Sequence, residues 1–181
     1  MDIQRKVVLY IASSLDGYIA RENGDIDWLS IVQNPKEDYG YGKFIKSVDT
    51  VIMGRKTYDM VLSFGIKFPH KDETCYVLTR SPKPRDKNVI FYSGEIESLI
   101  ADIRSSPGGN IFLDGGAEMV HEFMSRDLID RFVISVVPVL LGGGIPLFRP
   151  GWKETRLVLR GSRAFPSGLV QSVYERSTSG R

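Results

Sequence analysis

Three short stretches of this 181-residue chain stand where apolar runs end and polar chemistry begins: Gly54-Arg55-Lys56-Thr57, Thr79-Arg80-Ser81 and Gly115-Gly116-Ala117. The first follows Thr50-Val51-Ile52-Met53 and leads into helical spacing at Tyr58, Val61 and Leu62. A strand that feeds a helix through a glycine leaves backbone N–H groups unpaired at the positive end of the helix dipole, and with two cations beside it the junction suits a phosphate. The same stretch also reads as an ordinary strand–helix turn with solvated cations. In an open α/β sheet ligands bind at the carboxyl ends of strands, so three such ends converging would cradle an elongated, multiply phosphorylated ligand such as a dinucleotide. Neither G-x-G-x-x-G nor the P-loop pattern occurs, so the chain is not an ordinary Rossmann or P-loop protein. Asp114, between an apolar run and the glycine pair, is a carboxyl group at a partly desolvated position that can act as a proton source or stabilise a developing cation; it is equally suited to capping the helix that follows. His70 and His121 have no partners at metal or triad spacing and are expected at the surface, with no metal site.

The elements that must position these residues follow from the hydrophobic pattern. Lys6 to Ser13 is a nearly continuous apolar run and reads as a strand buried on both faces near the sheet centre. Ser14 to Trp28 has repeated turn signals and no period, which predicts a long loop. Tyr39 to Lys46 is expected as a short helix before the Thr50 strand, Phe64 to Glu73 as a loop, and Thr74 to Thr79 and Asn88 to Tyr92 as strands. Ile96, Leu99, Ile100 and Ile103 fall at i, i+3, i+4 and i+7, the spacing of an amphipathic helix. Asn110 to Asp114 is a further strand, with helical spacing at Val120, Phe123 and Met124. Ile129 to Leu141 reads as a long strand in which Pro138 marks an edge or a bulge. Gly142 to Phe148 is a compact loop, and Thr155 to Phe165 and Leu169 to Arg176 are strands joined at Pro166-Ser167-Gly168. Three late strands without helices between them imply antiparallel additions to an otherwise parallel sheet.

Composition narrows the partners. The chain is 42% hydrophobic and 25% charged, the balance of one soluble domain over 1–181. A single cysteine, Cys75, excludes an internal disulfide framework and fits a reducing compartment, so a cytoplasmic location is expected. Val7 to Ala12 is too short to span a bilayer, and a net charge of +2 with dispersed cations lacks the footprint of a nucleic-acid binder. No membrane and no nucleic acid are expected as partners. The apolar C-terminal strands are a candidate homodimer surface.

The order SSLDG, DW, VIMGRKTY, VLTRS, LDGGAEM and PVLLGGGIPLF resembles the dihydrofolate reductase superfold over nearly the whole chain, and specifically the branch of the C-terminal reductase domain of the bifunctional riboflavin-biosynthesis enzyme, here without its deaminase. The resemblance implies a single-domain α/β fold: a central, mostly parallel sheet with antiparallel C-terminal strands and helices on both faces. It implies NADPH as cofactor, held by Ala12, Gly54, Arg55, Lys56, Thr57, Thr79, Arg80, Ser81, Gly115, Gly116, Ala117 and Glu118. It further implies hydride delivery to a pterin-like or 5-amino-6-(5-phosphoribosylamino)uracil-like heterocycle. Asp114 and Asp27 are then the catalytic candidates, with Asp16, Trp28, Phe44 and Phe148 against the substrate. The acid that dihydrofolate reductase carries on the helix after its tryptophan has two imperfect counterparts, Asp27 before Trp28 and Asp38 later than expected. A dinucleotide-binding regulatory module without turnover, or dihydrofolate reductase proper, would carry many of the same motifs.

Overall fold

The computed structural model describes residues 5–177, and the ends of the 1–181 span lie outside the described residues. Strands β1 (Val7–Ser14), β3 (Val48–Gly54), β4 (Thr74–Leu78), β5 (Val89–Tyr92), β6 (Asn110–Gly115), β7 (Arg131–Val137), β9 (Leu157–Ala164) and β10 (Val170–Arg176) form one eight-stranded sheet in the order β5-β4-β3-β6-β1-β7-β10-β9. From β5 to β7 every pairing is parallel. β10 runs antiparallel to both β7 and β9. The antiparallel C-terminal strands are therefore the β9–β10 hairpin alone, whereas the first of the three late strands, β7, joins β1 in parallel.

Period-two alternation along the strands divides the core between two faces. Val7, Leu9, Ile52, Ile111 and Leu113 face helices α3 (Ile96–Arg104) and α4 (Ala117–Ser125), whose Leu99, Ile100, Ile103, Val120 and Phe123 complete one cluster. Val51, Met53 and Phe112 face the other way, toward α1 (Tyr41–Ile45) and α2 (Arg55–Ser63), with Tyr58, Phe44 and Ile45 packed on them. Helices thus cover both faces, and β1 lies inside the sheet as its apolar run requires.

Two expectations need correction. The strand read over Ile129 to Leu141 spans only Arg131–Val137 and is interior, neither edge nor bulged at Pro138. A proline has no N–H to give a ladder, so the strand stops just before it, and the chain turns with Val139 N–H donating to Val137 O at 2.8 Å. The segments read as plain loops around Ser14 to Trp28 and Gly142 to Phe148 also hold a two-stranded sheet of β2 (Tyr18–Ala20) with β8 (Ile145–Pro146), and a 3-10 helix over Asp27–Val32. Elements of two and three residues are too short to display a period.

The β2–β8 pair depends on one glycine. Gly144 has φ +145°, and a Cβ there would lie 2.3 Å from the Ala20 carbonyl oxygen. Gly144→Ala should destabilise the protein by about 2 kcal/mol, because backbone strain of this kind costs of order 1–3 kcal/mol. Thermal denaturation should register it as a melting temperature lower by roughly 4–8 °C, the conversion for a chain of this size.

Candidate functional site

The parallel register sets three strand ends side by side. Gly54 of β3 pairs with Leu78 of β4, and Met53 pairs with Gly115 of β6, so the Thr79, Gly54 and Gly116 junctions leave the same edge of the sheet. Helices α2 and α4 both start there, each after a glycine N-cap that supplies no side-chain bond to the first turn. Their leading N–H groups and dipoles are consequently available to an anion. Thr57 links the two junctions, its Oγ1 accepting the Gly116 N–H at 3.0 Å. Gly115 adopts φ +91°, and the Gly115–Gly116 peptide is cis. Gly54 lies so close to α4 that a Cβ would meet Met119 Cγ at 3.1 Å.

The cations around this edge differ in their engagement. Arg55 Nε bonds both Asp59 oxygens at 2.8 Å, and its guanidinium carbon lies 5.7 Å from the centre of the Phe91 ring. Lys56 reaches Glu118 at 3.1 Å with both side chains largely in water. Exposed pairs of this kind are worth about 0–1 kcal/mol and yield to a better anion. Arg80 is exposed, with no ion pair among the described residues, and Ser81 N–H bonds Thr79 Oγ1 at 3.1 Å in the turn that presents it.

Beside the glycine pair, on the α1 and α2 face, lies an aromatic basin. Phe112 is its floor; Phe44 meets it edge-on at 5.0 Å, Tyr41 at 6.4 Å and the His70 ring at 5.8 Å, while Tyr10 stacks on Phe44 at 4.6 Å. Asp114, two residues on from Phe112, has a side chain 24% exposed and an Oδ2 that is 3.3 Å from His70 Nε2. Desolvation, followed by the nearby Asp114 and Glu73 charges, pushes the Tyr41 hydroxyl up to about 12 even though the residue is 37% exposed. The same three causes raise the Cys75 thiol to about 12. Both groups stay neutral near pH 7, so the polar end of the basin consists of carboxylates and an imidazole.

The structure takes several candidates elsewhere. The Asp16 carboxylate accepts from Ser14 Oγ at 2.6 Å and from the Leu141 and Gly142 N–H groups at 3.1 and 2.8 Å, clamping the two loops that carry β2 and β8. The Ser14 hydroxyl and then these N–H groups hold it below the usual carboxylate range. Asp27 forms a two-point contact with Arg21 at 2.7 and 3.2 Å in solvent, which lowers it likewise. Asp38 accepts the Gly40 and Gly42 N–H groups at 2.8 and 2.9 Å and so anchors the start of α1. Trp28 is 2% exposed in a separate core cluster with Val32, Val137, Phe165 and Leu169, against which Ala12 also packs. Phe148 contacts Trp152 at 6.0 Å, and Trp152 contacts His121 of α4 at 5.6 Å, a group on the opposite side of the sheet from Phe112. Of the four residues expected against substrate, only Phe44 joins Asp114 in the basin.

Four basin residues, Phe112, Tyr10, Tyr41 and His70, are not among the site candidates that the sequence offers. His70, expected at the surface, is 2% exposed, and Tyr41 was placed only as part of a helix. The loop around His70 is polar and mixed in charge, so no period betrays the burial. The local hint is Phe68, whose ring stands edge-on to His70 at 5.7 Å. His121 is partly covered, with its Nδ1 buried and unpartnered, and is not a plain surface residue either.

Comparison with known proteins agrees with this architecture. The chain is 47% identical to the Bacillus subtilis protein YwjB over 176 residues, covering 97% of this chain and 100% of that one. A crystal structure of a Shewanella sp. PV-4 protein assigned to riboflavin biosynthesis superposes with a TM-score of 0.88 at 35% identity, over 95% of this chain and 99% of that one. Dihydrofolate reductase from Enterococcus faecalis, solved with NADP(H), shares the fold with a TM-score of 0.68 at 19% identity, over 96% of this chain and 98% of that one. The family model for the RibD C-terminal domain matches residues 5–171. A mostly parallel sheet with one antiparallel hairpin, helices on both faces and a glycine pair at the end of β6 is thus a dihydrofolate reductase-like fold, and the chain belongs to the RibD C-terminal domain family.

Proposed function

We propose that this protein is an NADPH-dependent reductase that transfers hydride to a carbon–nitrogen double bond, or to a ring-opened sugar imine, of a 5-amino-6-(5-phosphoribosylamino)uracil-like or pterin-like substrate. The observation that carries the reading is the convergence of the β4, β3 and β6 ends, with two helix N-termini lacking side-chain caps, directly beside the Phe112 basin and Asp114. Family membership and the NADP(H) complex of a protein with this fold support it. The residues present fit such a cofactor: the Gly115–Gly116 pair carries no side chains at the end of β6, beside the N-termini of α2 and α4, which have no side-chain caps. NADPH, when bound, supplies the hydride, and the protein's part is orientation and electrostatics.

In this assignment the N-termini of α2 and α4 take the pyrophosphate, with Thr57 holding their junction rigid. Arg80 faces the 2′-phosphate, and Arg55 and Lys56 exchange Asp59 and Glu118 for phosphate oxygens. Phe44 and the exposed Tyr41 wall a planar ring, with the buried Phe112 packed behind them. Asp114, whose Oδ1 has no protein partner among the described residues, stabilises positive charge on the substrate nitrogen or delivers a proton to it. Neither Asp27 nor Asp38 belongs to the basin, and its carboxylate comes from β6. That arrangement favours the aminouracil type over dihydrofolate reductase proper. The test is NADPH oxidation measured across pterins and aminouracil ribosides; absence of turnover on all of them would leave a dinucleotide-binding module.

The protein is further proposed to act in the cytoplasm, where its single buried thiol suits a reducing milieu, and no helix among the described residues is long and apolar enough to cross a membrane. It is proposed to pair as a homodimer through β9, an edge strand exposed along its whole length that displays Leu157, Val158 and Leu159. Light scattering should then give about twice the 20.3 kDa chain mass, and a monomeric mass would discard the dimer.

Two substitutions probe the site. Arg80→Ala should weaken NADPH about tenfold while sparing NADH, since a charge-assisted phosphate contact contributes on the order of 1.5–3 kcal/mol. Calorimetry with both nucleotides reads this, and equal affinities in the wild type would remove the 2′-phosphate assignment. Asp114→Asn should fold and bind NADPH near normally but turn over roughly a hundredfold more slowly, the scale of a general acid. Steady-state kinetics that leave the variant fully active would reduce Asp114 to a structural role.

A further inference from the structure

We infer that His70 is a positioning residue for Asp114: its Nε2–H holds Oδ2 of the carboxylate so that Oδ1 is presented to the ligand. The inference rests on the reading that Asp114 serves the bound substrate. It starts from an imbalance in the Phe64 to Glu73 loop. Most of this segment is exposed, yet the side chain of His70 is 3% exposed. Burying an imidazole costs desolvation unless its nitrogens are paired. Its Nδ1 has no partner among the described residues, so the compensation comes through Nε2 and the 3.3 Å contact with Asp114.

The geometry also assigns the tautomer. A neutral ring with its proton on Nδ1 would bury an unpaired donor and turn the Nε2 lone pair toward a carboxylate oxygen. The proton therefore belongs on Nε2, where it is donated to Asp114. The ring is not free to leave. Phe68 and Phe112 hold it edge-on from two sides at 5.7 and 5.8 Å. Asn88 Nδ2 donates to the backbone carbonyls of His70 and of Glu73, the latter at 2.7 Å, which staples the loop to the start of β5. The other titratable groups at this corner are Tyr41 from α1 and Glu73 and Cys75 at the start of β4. Among the described residues neither the Tyr41 hydroxyl nor the Cys75 thiol donates to Asp114, and Glu73 has one buried oxygen without a partner, so His70 is the side chain that bonds the carboxylate. A contact of 3.3 Å lies at the long end for N–H···O and is of the kind that tightens when a ligand arrives.

The test combines kinetics with a spectroscopic readout. His70→Leu keeps apolar volume but removes the donor, and kcat should fall about tenfold or more with the NADPH KM unchanged, the scale for losing a hydrogen bond to a charged group. His70→Gln, whose amide nitrogen falls near the position of Nε2, should recover activity to within about threefold of wild type. In an Asp114→Asn background the His70→Leu change should cost little more, as expected for two residues acting through one contact. Equal losses in both backgrounds, or a Gln variant no better than Leu, would overturn the inference. Should His70→Leu fail to fold, the comparison of wild type with His70→Gln stands in its place. Nitrogen-15 NMR of the imidazole in the unliganded protein reads the contact without any turnover. The Nε2–H tautomer in the wild type, perturbed by Asp114→Asn, supports the inference, and the Nδ1–H tautomer refutes it. If the wild type oxidises NADPH with none of the pterins and aminouracil ribosides, the reductase reading fails while the NMR result still decides the His70–Asp114 contact.

Discussion

The three neighbouring strands β3, β6 and β1 are tied together by one buried cation at the edge opposite the candidate site. Arg5 is 8% exposed; its Nε donates to Gly109 O at 3.0 Å, Nη1 to Ile103 O at 2.9 Å, and Nη2 to Thr50 Oγ1 at 2.8 Å and to the Asp49 carboxylate. The other Asp49 oxygen accepts the Gly109 N–H at 2.7 Å. A guanidinium has donors in a fixed planar fork, so satisfying them all fixes the relative heights of its acceptors. Here those acceptors belong to the starts of β3 and β6 and the end of α3, with β1 following from Arg5 itself. Strands joined at their amino ends carry Gly54 and Gly116 to the same carboxyl edge, and the β3–β4 ladder brings Thr79 beside them.

That separation divides labour between the two edges. One edge carries charges paired within the protein, Arg5 with Asp49, Lys6 with Glu175 and Arg104 with Asp130. The other keeps helix N-termini without side-chain caps, a bare glycine pair and an exposed cation, Arg80, that has no ion-pair partner among the described residues. Thr57 is the exception within the open edge, because its hydroxyl accepts the Gly116 N–H and fixes two junctions that would otherwise move independently. The carboxylates differ in engagement whichever edge they occupy: Asp16, Asp27 and Asp38 are consumed by Ser14, Arg21 and backbone N–H groups, and Asp114 retains an oxygen for a ligand.

Features generated by local pattern were legible in the sequence. The apolar runs located the main strands, the i, i+3, i+4, i+7 spacing located α3, and the glycine and cation stretches marked the junctions that the register brings together. What escaped depends on contacts distant in the chain. Nothing near His70 announces that Asn88 will draw its loop inward, and nothing near Trp28 shows that it packs with Val137 and Phe165 instead of beside Phe112. Phe148 lies near Trp152 because α4 covers that face of the sheet, a matter of topology that its glycine-rich loop does not encode. Asp16 reads as a site carboxylate until its partners at Leu141 and Gly142, 125 and 126 residues away, are known.

The strand order also constrains when the fold can form. β1 leaves the ribosome first among the sheet strands, yet its two neighbours are β6, starting at Asn110, and β7, ending at Val137. The apolar run Val7–Ser14 must therefore wait for about 130 further residues before both of its edges are covered, on the order of ten seconds at ordinary synthesis rates. During that interval the earlier strands β3, β4 and β5 can pair among themselves, but the central strand remains a bare β-prone segment. The segment exposed longest during synthesis is thus the one that ends in the middle of the sheet, and a strand with both edges bare is the part of the chain most open to wrong pairing.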